Sequence, residues 1–189
     1  MKKVSLPNKE TALKTLIILG IIAICVSLYI QYGKPYIKEL SLEKQDQVRI
    51  KDLDTLDGII KEIASSSATQ TMGKENIIYI SIPSDDPNCS NLELPSTPDS
   101  WSYHCSNLSD YKKTDGSGWI PINFKGKISQ LPVDSINNLK TLNYYSYVTN
   151  STNEHVLTSG LSSTKHLIEK AQTDKGIDDI RYETRVNNN

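Results

Sequence analysis

The sequence predicts an α+β protein in which a long N-terminal membrane-spanning helix packs on a small antiparallel β-sheet. Three observations predict this fold class. An apolar run without a charged residue extends from Leu16 to Ile30. An amphipathic repeat with helical spacing follows it. The second half of the chain carries short segments rich in β-branched and aromatic residues between turn sequences.

The apolar run is long enough to cross a membrane once its flanks are included. Its 15 residues give about 22 Å of helix, and extension to the flanking lysines Lys14 and Lys34 gives about 28 Å, against a hydrocarbon core of about 30 Å. A cleaved secretory signal and a buried soluble helix are the alternatives. The run ends in bulky residues, 27–32, where a signal peptidase needs small ones, which favours an uncleaved anchor.

The distribution of lysines predicts the orientation. Lys2, Lys3, Lys9 and Lys14 precede the run, and only Lys34 and Lys38 lie close behind it. The positive-inside tendency therefore places the N-terminus in the cytoplasm and the rest outside. The expected regions are a basic cytoplasmic segment 1–15, a transmembrane helix 16–33, an extracytoplasmic continuation of that helix 34–67, and a globular β domain 68–189.

The helix is expected to continue beyond the membrane. Gly33 and Pro35 predict a kink, because proline removes a backbone donor. Further on, large apolar residues recur at spacings of three and four and form a stripe on one helix face. These are Leu53, Leu56, Ile60 and Ile63. The stripe favours docking on a sheet, since the pattern lasts too few heptads for a coiled coil.

Two of the three cysteines fall in the predicted extracytoplasmic region. Cys25 lies inside the apolar run, whereas Cys89 and Cys105 lie where an oxidising compartment would favour a disulfide. Their bond would close a loop of about 17 residues and stabilise the fold by roughly 3 kcal/mol. Free thiols, or a metal site that recruits His104, are the alternatives, although no CxxC spacing supports a metal.

Local patterns predict the remaining elements. Residues 77–82 and Trp119–Phe124 read as strands, the second at an edge because it contains Pro121. Residues 144–148 and 155–158 predict a tyrosine-rich hairpin around residues 150–153. Ser163 is a candidate N-cap for a short helix at 164–171, and the rest reads as a polar tail.

Five segments, in this order, resemble type IV pilin-like proteins, including the pseudopilins of type II secretion systems. They are Arg49-Ile50-Lys51-Asp52-Leu53-Asp54-Thr55-Leu56, Trp101-Ser102-Tyr103-His104-Cys105, Gly118-Trp119-Ile120-Pro121-Ile122-Asn123-Phe124, Leu131-Pro132-Val133-Asp134, and Tyr144-Tyr145-Ser146-Tyr147 with Val156-Leu157-Thr158. The N-terminus departs from that family. No glycine precedes Gly20, so the prepilin cleavage site is missing, and Glu10 lies outside the apolar run.

The residues give little support for catalysis or for nucleic-acid binding. The net charge is −1, and none of the three histidines lies in a recognised catalytic setting, so no enzyme is expected.

Asp174, Asp178 and Asp179 form a weak calcium candidate around a glycine turn, and some pseudopilins bind calcium in their C-terminal loop. No other cofactor is expected. Asn107 and Asn150 match the glycosylation pattern.

The resemblance implies a structural role. The chain would be a structural subunit or accessory protein of a type IV pilus or a type II secretion-type filament. Its partners would be other pilin-like subunits, the membrane assembly machinery and the lipid bilayer, with helix packing near Leu53, Leu56, Ile60 and Ile63 in assembly. The alternative is a non-polymerising, anchored extracytoplasmic module that binds a glycan or peptide through the tyrosine-rich hairpin.

Overall fold

The computed structural model describes residues 8–66, 71–174 and 178–184. Lys2, Lys3, the predicted helix end at 67 and the centre of the predicted calcium loop, 175–177, lie outside these residues. The chain divides into two compact units, Met1–Ser41 and Leu42–Asn189.

The N-terminal half of the described chain is helical. Helix α1 spans Lys9–Leu28, a π-helical turn spans Tyr29–Gly33, and helix α2 spans Lys34–Ser66. The Lys34 N–H donates to the Tyr29 carbonyl, five residues earlier. Pro35 has no N–H, so the hydrogen-bonding pattern changes beside the proline that predicts the kink.

Five strands form one mixed sheet. They are β1 (Ile77–Ile80), β2 (Ser102–Cys105), β3 (Tyr145–Thr149), β4 (His155–Gly160) and β5 (Arg181–Thr184), in the order β2-β1-β3-β4-β5. Three neighbouring pairs are antiparallel, but β1 and β2 are parallel. The prediction of a purely antiparallel sheet is therefore wrong. The long connection between β1 and β2 gives the chain room for a crossover, which a parallel pair requires.

Three local predictions need correction. Trp119–Phe124 is not a strand, although Asn123 forms an isolated bridge with Asp115. Trp119 and Phe124 are instead fully buried in the core. The predicted loop and polar tail each contain a short strand, β2 and β5. Strands of four residues show too little alternation to stand out in a sequence.

Two local predictions are confirmed. Strands β3 and β4 pair as an antiparallel hairpin around the expected turn. The Ser163 hydroxyl accepts a hydrogen bond from the His166 N–H and caps helix α3, Thr164–His166, which continues as a π-helical turn over Leu167–Ala171.

The sheet is covered on both faces. Alternate residues of a strand point to opposite faces. Tyr79 and Tyr147 join one buried cluster with the stripe of α2, whereas Ile80 joins a second with Cys89 and Cys105. Leu92 and Leu94, from the connection between β1 and β2, pack against this second cluster. The disulfide-closed segment thus covers the face that α2 leaves open.

We expect the Cys89–Cys105 disulfide to hold this cover in place. Cys89→Ser should lower the free energy of unfolding by about 3 kcal/mol, because the unfolded chain regains the entropy of an open loop. Denaturant titration of the detergent-solubilised protein would measure this change. The variant should also lose the change in electrophoretic mobility on reduction.

Cys25→Ser is the matched control, because Cys25 is an exposed free cysteine. It should keep both the mobility change and the wild-type stability. A wild-type protein whose mobility does not respond to reduction would contradict the disulfide.

Candidate functional site: the apolar helix and a buried ionic centre

Helix α1 has no buried residue. Its large apolar side chains are at least half exposed, for example Leu16 at 67% and Ile24 at 62%. Within the described chain, one helical stretch, Lys9–Ser66, is long and apolar enough to cross a membrane by length and composition, and its apolar window has no buried share. Soluble monomers rarely expose a continuous apolar surface of this length. The helix is therefore a candidate membrane span, and the disulfide indicates an oxidising compartment for the domain that follows.

The stripe of α2 lies in the core of the domain. Leu53, Leu56 and Ile60 have no exposed surface, and Ile63 is 5% exposed. All four pack in one cluster with aromatic residues of the sheet, including Tyr145. The predicted docking on a sheet is confirmed. The four side chains have no surface left for another subunit, so a contact between subunits has to use other residues.

The tyrosine-rich hairpin also faces inward. Tyr144, Tyr145 and Tyr147 are at most 5% exposed. The Tyr147 hydroxyl donates to the Met72 carbonyl at 2.7 Å. Burial raises the pKa of both Tyr145 and Tyr147 above the ordinary value. These three tyrosines are core residues and offer no exposed aromatic ring to a ligand.

Two of the aspartates predicted to bind calcium accept hydrogen bonds from the backbone. Asp174 Oδ2 accepts the Glu183 N–H at 2.7 Å, and Asp178 Oδ1 accepts the Ile180 N–H at 3.0 Å. Across residues 8–66, 71–174 and 178–184, no group of three or more His, Cys, Asp or Glu side chains is placed to hold a metal ion. In the structure these two aspartates accept backbone N–H groups, one within β5 and one just before it.

A buried arginine forms the centre of the domain. Arg49 on α2 is 1% exposed and lies between the carboxylates of Asp46 and Asp134, which are 0% and 3% exposed. Its Nη1 donates to Asp46 Oδ1 at 2.6 Å, and its Nε donates to Asp134 Oδ2. Burial alone would lower the pKa of Arg49, but hydrogen bonds and charges from Asp134 and Asp46 raise it. We call Asp46, Arg49 and Asp134 the ionic centre.

Asp46 links the ionic centre to the segment after β4. Its Oδ2 accepts the Ser163 N–H at 2.7 Å and the Ser163 hydroxyl at 2.6 Å, and its Oδ1 accepts the Ser162 N–H at 2.9 Å. The Ser163 hydroxyl oxygen also lies 3.0 Å from His166 Nδ1. One carboxylate on α2 therefore fixes the N-terminus of α3.

Asp134 links the ionic centre to the end of β1. Its Oδ1 accepts the N–H groups of Ile136 and Asn137 at 2.7 and 3.1 Å. The Asn137 amide in turn donates to the Ser81 carbonyl at 2.9 Å and accepts the Ser81 hydroxyl at 2.7 Å. The turn that contains Leu131 and Asp134 is thereby tied to both helix and sheet.

Further along α2, three aspartates each meet a different strand. Asp52 accepts the Tyr145 hydroxyl of β3 at 2.9 Å, Asp54 the Tyr182 hydroxyl of β5 at 2.9 Å, and Asp57 lies 3.0 Å from His155 Nε2 of β4. Burial raises the pKa of Asp52 against the opposing effect of the Tyr145 hydrogen bond. At Asp57 burial would raise the pKa, but hydrogen bonds from His155 and Lys61 lower it.

Comparison with models of protein families, with curated proteins and with solved structures finds no match to this chain. The resemblance to pilin-like proteins therefore stays a prediction.

Reasoning from the sequence did not identify the ionic centre. Arg49 and Asp134 were noted only within two separate resembling segments, 85 residues apart. One signal was available. Asp46, Arg49, Leu53 and Leu56 follow one another at spacings of three and four, so both charged residues continue the buried face of α2. A charged residue on such a face needs a buried partner.

We expect Arg49→Met to destabilise the domain by about 3–5 kcal/mol, because it leaves two buried carboxylates without their counter-charge. Arg49→Lys should lose part of this stability, since an ammonium cannot donate as a planar fork. Lys44→Met, at an exposed position on the same helix, is the control and should change stability by less than about 0.5 kcal/mol. Denaturant titration would measure all three, and an Arg49→Met variant as stable as the control would contradict the centre's role.

Asp52→Asn should instead stabilise the domain at neutral pH. The raised pKa of Asp52 means that folding penalises its charged form, while an amide oxygen can still accept the Tyr145 hydroxyl. The gain should be below about 1 kcal/mol, since solvent screens a partly exposed group.

The pH dependence gives the check on Asp52. A carboxyl whose pKa is raised on folding stabilises the fold below its ordinary value of 3.8 and loses that contribution as the pH rises through the folded value. The advantage of Asp52→Asn over the wild type should therefore be present at pH 7 and vanish near pH 3. If the difference between the two melting temperatures were constant with pH or inverted, the predicted effect of the Asp52 charge on stability would be wrong.

Proposed function

We propose that this chain is a single-pass, pilin-like membrane protein that acts structurally, as a subunit or accessory protein of a type IV pilus or type II secretion-type filament. The observation that carries the proposal is the order of the parts. An uncovered apolar helix leads into a helix whose buried face packs on a β-sheet, with a disulfide-closed segment on the other face. The family resemblance of the sequence supports the same reading.

The proposed arrangement in the membrane has the N-terminus in the cytoplasm and the domain outside. The lysines before the apolar run support this orientation, as does the disulfide, which favours an oxidising compartment. The partners would be the lipid bilayer, other pilin-like subunits and their assembly machinery. The role is structural rather than catalytic.

The missing cleavage glycine and the absence of a glutamate from the run favour an accessory role over that of a major, processed subunit. Within α1 the charged groups sit at the start, where Lys14 pairs with Glu10 at 2.7 Å.

The anchor can be tested by adding charge to the apolar run. The wild type should stay with the membrane after an alkaline wash, and its N-terminal sequence should begin at or near Met1. Leu19→Lys combined with Ile22→Lys should release it, since each charge at the bilayer centre costs about 2.5–3.5 kcal/mol. Leu108→Lys is the control, because Leu108 is as exposed (69%) but lies in the domain. Release of the wild type by the wash, or a mature N-terminus after Tyr29, would contradict the anchor.

Membership of a filament system is a separate question with its own readout. Mild detergent extracts of native membranes should yield other pilin-like proteins when the intact chain is captured by a C-terminal tag. The doubly charged Leu19→Lys, Ile22→Lys variant should fail to retain them. An anchored wild type that repeatedly brings down no such protein would refute the filament role and leave the anchor standing.

A further inference from the structure

The parallel pair β1–β2 leads into a polar pocket. The carboxyl ends of parallel strands meet at one edge of a sheet, and here a cavity of about 300 Å³ lies beyond them. Its lining includes Asp85, His104 and Ser106. The Ser84 N–H donates to the Ser106 carbonyl at 2.9 Å, and Cys105 forms a disulfide with Cys89. These two contacts fix the backbone that lines the pocket.

Three lining side chains make no side-chain hydrogen bond within the described chain. They are the Asp85 carboxylate, the His104 imidazole and the Ser106 hydroxyl. Ser106 is only 7% exposed and lines the cavity, whereas Asp85 is an exposed residue. Two other lining side chains do make hydrogen bonds. Asn107 accepts the Ser109 N–H at 3.0 Å, and the Ser117 hydroxyl donates to Asp115 at 2.6 Å. The first three therefore present unused hydrogen-bonding capacity to the cavity.

His104 is held as a neutral ring. Burial and then the charge of Lys74 lower its pKa below the ordinary 6.5, so it is uncharged at pH 7. The Tyr79 ring packs edge-on against it with centroids 5.3 Å apart. A neutral imidazole offers one donor and one acceptor, a hydroxyl offers both, and a carboxylate accepts only.

We propose that this pocket binds one ring of a neutral, hydroxyl-rich ligand, a sugar. Sugar hydroxyls both donate and accept, which matches His104 and Ser106, and neighbouring hydroxyls can donate together to Asp85. An anionic ligand would be repelled by Asp85, and an apolar one would leave the three polar groups unpaired. The volume lies at the lower end of the range for small-ligand sites, which suits one ring. This inference is independent of the proposed filament role.

The test uses the full-length protein in a detergent without a sugar head group, such as lauryldimethylamine oxide. The probes are glucose, galactose and N-acetylglucosamine, with sodium acetate as the charged comparison. The imidazole NMR signals of the three histidines report binding, and His104→Gln identifies the signal of His104. We expect at least one sugar to shift that signal in a saturable way, with a dissociation constant on the order of 1 mM, while the signals of His155 and His166 stay in place.

Matched variants separate the site from the rest of the surface. Asp85→Ala should weaken sugar binding about tenfold, since it removes hydrogen bonds to a charged acceptor. Asp99→Ala, at an exposed position outside the pocket, should leave binding unchanged. Ser106→Ala should also weaken binding, and Asp85→Ala decides the matter if that variant does not fold.

Two results would overturn the sugar site. One is the lack of a saturable shift with all three sugars, or an equal shift with acetate. The other is equal affinity in the Asp85→Ala and Asp99→Ala variants.

Discussion

The domain depends on burying Arg49 between Asp46 and Asp134. Removing these charges from water costs several kcal/mol per ion, and mutual attraction offsets that cost only when the geometry is good and the remaining lone pairs are used. Here they are used, because each aspartate also accepts backbone N–H groups from a loop. The ionic centre therefore fixes how far α2 lies along the sheet. A shift of α2 by one helical turn would separate Arg49 from Asp134, and Asp46 from the Ser163 N–H, although Arg49 and Asp46 would move together.

Contacts on α2 beyond the ionic centre follow the same register. The apolar stripe from Leu53 to Ile63 supplies the attraction between helix and sheet. On its flanks, Asp52 and Asp57 bind Tyr145 and His155 on neighbouring strands. Such bonds add specificity more than stability, because each replaces a bond to water. The stripe makes the helix dock, and the polar contacts decide where it docks.

The sequence predicted what local spacing determines. The stripe of α2, the β3–β4 hairpin and the Ser163 cap all depend on residues within a few positions of one another. Pairings between distant segments were missed, above all that of Arg49 with Asp134. The parallel β1–β2 pair was missed for the same reason, and so was the pocket at its end. Trp119–Phe124 looked like a strand because buried irregular segments and buried strands share an apolar composition.

The two faces of the sheet and the helix α1 differ in what covers them. The stripe of α2 covers one face and the disulfide-closed segment the other, so the domain satisfies its own apolar surface. Helix α1 has no such cover, and lipid or another helix must supply it. In lipid, helices associate through close packing and polar contacts rather than through the hydrophobic effect. Two polar side-chain contacts of α1, Lys14 to Glu10 and Thr15 to the Thr11 carbonyl, stay within the helix. Helix α1 is therefore the candidate membrane span, whereas the domain that follows buries its apolar residues within its own two clusters.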